Sequence, residues 1–358
     1  MFLLFDVEPP YIHWCRAGKK GKFVDGRCRF DGKSGEQLAG EIGNIGNVEA
    51  AAYLLHHGGG IITRTLTPIR RTTLGKIGEC IPLLPEYNDL TFRVVDTWRR
   101  WMPRIPHFLF CNTAFFSRLP DVAGTYAVPE VLRKKDVRRF GGYGLFHEWA
   151  WMQVSHQSPG KNGRVISVYL GNRTNIAAIR GGRAIDTTIG FTPVEGIPSS
   201  TSIGDIDATV VFELYSTGMS FAEINQLLSQ KSGFSGLLGR KCTFTDLLAP
   251  GLIPEVKAIY DVFLYDIMKY LGAFVSLLGG VDAVVFCSEN LEAAYGLIGD
   301  ICRRLGFMGV KCRPQPPKGR GQVRILSAPE SGVKIMGLEG DKWSIMADGI
   351  RSVMDKEI

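Results

Sequence analysis

The sequence predicts an α/β protein of about two domains, with sheets covered by helices. Three observations carry this. The chain has 358 residues, and at roughly 150 residues per domain that is enough to bury two cores. Hydrophobic residues make up 45% and charged residues 22%, close to an average globular chain, which excludes disordered and fibrous classes. From Arg164 onward, short β-rich runs alternate with longer stretches whose apolar residues recur at helical spacing.

In chain order, Trp98-Arg99-Arg100-Trp101 reads as a half-buried helix rather than a base-stacking platform, since no nucleic-acid motif accompanies it. VISVYL after Arg164 is a strand that breaks at Gly171-Asn172 and resumes as NIAAIRGGRAIDTT, with Gly181-Gly182 supplying a tight turn. Phe221 to Gln230 and Glu255 to Leu278 are packed helices. In the second, Val256, Ile259, Phe263, Ile267 and Leu271 form one stripe. Val281 to Phe286 is a buried strand, Leu291 to Leu305 a helix, Val310 to Arg313 and Val323 to Leu326 further strands, and Trp343 to Met354 a closing helix. No repeat of fixed period is found.

Composition narrows the partners. The longest apolar stretch, Tyr270 to Val281, is far shorter than the roughly 20 residues that span a bilayer, so no membrane segment is expected. The N-terminal Met-Phe-Leu-Leu-Phe run meets Asp6 and Glu8 and lacks a basic leader, which points to the cytoplasm. Eight scattered cysteines without Cys-x-x-Cys spacing read as reduced, mostly buried thiols. The formal charge of +7 is a weak pointer to anionic ligands. The basic stretches Lys19 to Lys22, Arg133 to Arg139 and Lys318 to Arg324 read as solvated surface, the last in a Pro/Gly-rich loop; no nucleic acid is expected as a partner.

Four segments carry a resemblance: FCNTAFF (Phe110 to Phe116), RRFGGYGLFH (Arg138 to His147), the block from Val168 to Asp207 with IDTTIGFTPVEG and GDID, and DAVVFCSEN (Asp282 to Asn290). Weaker echoes lie at HHGGG, KSGFSGLLG and RILSAPE. Together the chain resembles the acetate kinase family of acetate and propionate kinases. The resemblance implies two actin-like (ribonuclease H-like) lobes with a central cleft, a homodimer, and transfer of the γ-phosphoryl of Mg²⁺-ATP to a small carboxylate. On that basis residues 1–115 form the N-terminal lobe, completed by a C-terminal helix over 331–358, and 116–330 the C-terminal, nucleotide-side lobe.

Carried over residue by residue, the resemblance places catalytic positions at Asn112, Tyr143, His147, Ser202 and Glu330. Most are substituted. Asn112 stands for a metal-organising aspartate, Tyr143 for a transition-state histidine and Ser202 for a catalytic arginine. A two-residue gap brings His147 into the catalytic place instead. A second arginine falls at Leu54, for which Arg64, Arg70 or Arg71 could substitute in space. Glu330 matches the family's C-terminal metal-organising carboxylate, and Asp6 is the other candidate for Mg²⁺.

Nucleotide contacts fall on Gly171, Asn172, Arg173, Asp205, Asp246, Glu289 and Asn290. Arg173 replaces a glycine of the phosphate hairpin; it blocks close backbone approach if φ is positive there, or else adds a cation. In the first phosphate loop Pro9 and Pro10 contribute no N–H donors. The acceptor pocket falls on His56, Gly142 and Pro193, and Gly142 in place of a phenylalanine implies a larger pocket. Losing one charge-stabilising donor typically costs about 10²- to 10³-fold in rate. Because several depart together, the reading is a catalytically impaired, ligand-binding or regulatory homologue. The alternative is an active carboxylate kinase with a rearranged site.

Overall fold

The structure, a computed structural model, describes residues 1–18, 23–43, 45–155, 163–315 and 323–355. Lys19 to Lys22 and most of the Lys318 to Arg324 stretch lie outside the described residues. The chain divides into two compact units. Unit 1 holds Met1–Ser117, Gly142–Phe146 and the chain from Asp341; unit 2 holds Arg118–Gly141 and His147–Gly340.

Unit 1 is built on strands β1 (Phe2–Glu8), β2 (Tyr11–Ala17), β3 (Phe23–Arg29), β4 (Ala50–Leu55), β5 (Leu66–Pro68) and β6 (His107–Cys111), in the sheet order β3-β2-β1-β4-β6-β5. β1, β2 and β3 form an antiparallel meander, while β1, β4 and β6 run parallel. The Ala-rich β4 is buried at every position. Alanine favours helices in isolation, but a central parallel strand is covered on both faces and accepts any apolar run. Helix Pro85–Trp101 packs on this sheet through Leu90, Val94, Val95 and Trp98.

Unit 2 repeats the plan with β7 (Arg164–Leu170), β8 (Asn175–Arg180), β9 (Arg183–Thr187), β10 (Ala283–Ser288), β11 (Val323–Ile325) and β12 (Lys334–Glu339), in the order β11-β12-β10-β7-β8-β9. Again the first three strands form an antiparallel meander and the first pairs parallel with the fourth. The repeat is one of topology, which no fixed sequence period reveals. Gly181 and Gly182 both adopt positive φ in the β8–β9 turn, as the hairpin reading requires. Helix Pro254–Leu278 buries the expected stripe and ends at Gly279, whose φ of 67° is left-handed.

Three details differ from expectation. Val310 to Arg313 forms no strand, only an isolated bridge between Cys312 and Ser327. The helix expected from Leu291 begins at Tyr295, because Leu291 to Ala294 make turns after Asn290, whose side chain accepts from the Ala293 N–H at 2.9 Å. Residues 331–340 carry β12, which pairs with β10 in unit 2.

All eight cysteines are free thiols, six of them buried. Among the described residues no helix is long and apolar enough to cross a membrane.

Candidate functional site

In unit 1 the C-terminal ends of the parallel strands β1, β4 and β6 bring Asp6, His56 and Asn112 to one edge of the sheet. Asp6 is 6% exposed. Its Oδ1 accepts from His56 Nε2 at 2.7 Å and from the Val7 N–H at 2.8 Å, while Oδ2 is ion-paired with the Lys342 ammonium. Burial pushes the Asp6 carboxyl up, but Lys342 and His56 outweigh it and hold it well below the usual carboxylate range. The His56 ring is tilted against Tyr87 at 4.9 Å between centroids. Beside this cluster Glu8 pairs with His13 at 3.2 Å.

Lys342 was not anticipated. It opens the closing helix Lys342–Met354, whose N-cap Asp341 accepts from the Ser344 N–H at 2.7 Å. Ile345, Met346, Ala347 and Ile350 are buried on that helix. The local capping pattern was available in the sequence; the contact with Asp6 was not.

Asn112 follows β6, is 7% exposed, and is held by its backbone to Leu55 and Gly144 at 3.0 and 2.7 Å. Its side-chain Oδ1 is buried without a hydrogen-bond partner. Gly144 is required here, since a Cβ would come within 2.5 Å of the Asn112 carbonyl oxygen. Gly142 is buried and Tyr143 half-buried with φ of 55°. Arg64, Arg70 and Arg71 are exposed.

Unit 2 holds the remaining positions. His147 is fully buried. Its Nε2–H donates to Asn175 Oδ1 at 2.5 Å, and its Nδ1 accepts from the Ser167 hydroxyl at 2.9 Å. Asn175 Nδ2 in turn donates to Thr188 Oγ1 at 2.9 Å. Burial pushes the imidazole down to about 4, so it is neutral near pH 7.

The hairpin between β7 and β8 carries Gly171, Asn172 and Arg173. Asn172 Oδ1 accepts from Ser200 Oγ at 2.9 Å and from the Phe244 N–H at 3.0 Å. Arg173 donates to the Pro193 carbonyl at 2.9 Å and to that of Ser229 at 3.5 Å. It is not among the positive-φ residues, so no backbone strain attends the substitution.

Ser202 is 1% exposed; its N–H donates to Ser199 Oγ at 2.8 Å and its hydroxyl to the Val194 carbonyl at 3.5 Å. Asp205 accepts from the Gly196 N–H at 3.0 Å and the Tyr270 hydroxyl at 2.5 Å. Asp246 closes a capping box with Thr243 at 2.7 Å. Glu289, Asn290 and Glu330 are exposed, the last in a turn of unit 2.

A hard divalent cation needs several oxygen ligands with lone pairs free to face it. Within unit 1 both Asp6 oxygens already face donors, Oδ2 a fixed ammonium, and Asn112 supplies one neutral oxygen. Among the described residues no group of three or more His, Cys, Asp or Glu is placed to hold a metal. These residues do not fit Mg²⁺. On the β7–β8 hairpin of unit 2, Asn172 and Arg173 are likewise turned to the protein's own groups.

The Acetokinase family model matches residues 41–348. Acetate kinase from Bacteroides fragilis is 32% identical over 323 residues, covering 88% of this chain and 81% of that protein. Acetate kinase from Carboxydothermus hydrogenoformans is 31% identical over 327 residues, 89% of this chain and 82% of that protein. Among solved structures, Porphyromonas gingivalis acetate kinase superposes with a TM-score of 0.84 at 24% identity, over 99% of both chains. A propionate kinase from Francisella tularensis gives 0.82 at 22%, over 97% of both. These likenesses establish the two-domain, actin-like α/β fold, and the match of sequence over most of the chain settles its kinship: the protein belongs to the acetokinase family.

Proposed function

We propose that this chain keeps the acetokinase framework without efficient transfer of phosphoryl from Mg²⁺-ATP to a small carboxylate, and acts as a ligand-binding or regulatory homologue, as a homodimer. The observation that carries the reading is Arg173. In the hairpin where the family brings backbone against nucleotide phosphates, this side chain replaces a glycine, and its guanidinium is bonded to the Pro193 and Ser229 carbonyls. A cation held to protein carbonyls adds bulk to the hairpin without presenting its full charge to a phosphate. Phosphoryl transfer depends on in-line positioning and on charge stabilisation around the transferred group. His147, buried and neutral, and Ser202, buried without charge, do not restore that charge.

A second reading, an active carboxylate kinase with a rearranged site and a larger pocket beside Gly142, is favoured by one observation: the 32% identity to a named acetate kinase over 323 residues. Thermal unfolding with and without millimolar Mg²⁺-ATP tests the second. A ligand at 100 times its dissociation constant adds about 2.7 kcal/mol of stability, which moves a midpoint by several degrees. No shift retires the second reading; a shift of that size shows that nucleotide binds, and acyl-phosphate formation then decides between the two.

A further inference from the structure

We propose that the Lys342 ammonium is the resident cation of the unit 1 site, taking the place beside Asp6 that a divalent metal would need, so that this site excludes Mg²⁺. The inference rests on the reading of the chain as a family member with altered chemistry. Its test reads metal binding and not turnover, so the two fail separately.

Asp6 sits in β1, flanked in the sheet by β2 and β4, and is nearly inaccessible. A buried carboxylate needs a counter-charge. Here it is supplied from the far end of the chain, by the first residue of a helix anchored through Ile345, Met346 and Ile350. Each Asp6 oxygen is engaged: Oδ1 by the His56 imidazole and the Val7 N–H, Oδ2 by Lys342.

A dication approaching Oδ2 would meet a fixed ammonium on the same atom, and like charges at that separation repel strongly in a partly desolvated site. The Lys342 ammonium also lies 4.8 Å from the centroid of the Trp343 ring. Removing the ammonium would leave Asp6 with His56 and Val7 as donors and free one oxygen. The orphaned Asn112 Oδ1, on the same sheet edge, would remain as a neutral acceptor. The charge that opposes a cation at Oδ2 is therefore that of one side chain.

Mn²⁺ is the probe, titrated into the full chain and followed by the free-ion electron paramagnetic resonance signal. Wild type is expected to leave that signal unquenched up to about 1 mM protein and metal. Lys342→Ala and Lys342→Gln, each checked for folding by circular dichroism, are expected to bind one Mn²⁺ at least tenfold more tightly than wild type, and Asp6→Asn added to either to abolish the gain. The glutamine variant keeps a hydrogen-bond donor near Asp6, so the comparison survives if the alanine variant is unfolded. Saturable binding by wild type that Asp6→Asn removes would overturn the proposal. So would folded Lys342 variants that bind no better than wild type.

Discussion

The Asp6 carboxylate and the Lys342 ammonium, 336 positions apart in the chain, are ion-paired inside unit 1. The pair fastens the closing helix to the central strand of the first sheet. Breaking a buried pair by removing one partner typically costs about 3–5 kcal/mol, and Lys342 is a quarter exposed, so the lower end applies.

Asp6→Asn should therefore destabilise the protein by about 3 kcal/mol at pH 7, measured by urea unfolding. The sign of the pH dependence follows from the depressed carboxyl. Its folded value lies below the ordinary 3.8, so the stabilisation is complete above that value and is lost as pH falls through the folded one. The gap between wild type and Asp6→Asn should narrow only below about pH 4. A gap that closes between pH 5 and 8 would contradict the pairing.

His147 should stay neutral throughout physiological pH. Its imidazole is pushed from 6.5 down to about 4, so between those values the unfolded chain binds more protons and stability falls as pH falls. NMR of the ring should show no titration from pH 5.5 to 8. His147→Phe should lose about 2–3 kcal/mol, because Ser167 and Asn175 are left without their partner. Titration near pH 6.5 would mean the ring reaches solvent.

Much of this organisation was legible in the sequence. The Gly181-Gly182 turn and the stripe on helix Pro254–Leu278 are local patterns, set by φ preferences and by 3.6-residue spacing, and the structure holds both. The family was legible from the block between Val168 and Asp207, whose spacing tolerates substitution at individual chemical positions. The Lys342 contact was not legible, since nothing near Asp341 marks a partner in β1. The surroundings of His147 were hidden for the same reason: they come from β7 and β8, and sequence alone could not distinguish a catalytic imidazole from one enclosed by Ser167 and Asn175. The missing strand at Val310 to Arg313 shows the opposite failure, where a short apolar run satisfies a strand pattern but forms one bridge only.

Among the thiols, Cys312 should alkylate first. A hydrogen bond from Cys302 favours its thiolate; burial opposes this, and the Tyr295 hydroxyl adds to the first effect. Burial instead raises Cys15, Cys28, Cys80, Cys111, Cys242 and Cys287 above the ordinary thiol value, and Cys302 is raised by its bond to Cys312. Peptide mapping after limiting iodoacetamide at pH 7 should find Cys312 modified roughly tenfold faster than the rest. Equal labelling of all eight would refute the contact.

Arg173→Ala should cost about 1–2 kcal/mol through loss of the ties to Pro193 and Ser229, read by urea unfolding. It should leave the response to ATP unchanged. A stability equal to wild type would show that the guanidinium is free to face a ligand.

The most direct test of the central claim is acyl-phosphate formation, trapped as the hydroxamate, with saturating Mg²⁺-ATP and acetate, propionate or a bulkier acid. The account predicts product no greater than in protein-free controls for every acid. Hydroxamate accumulating over many turnovers with any of them would show that this chain is a working carboxylate kinase.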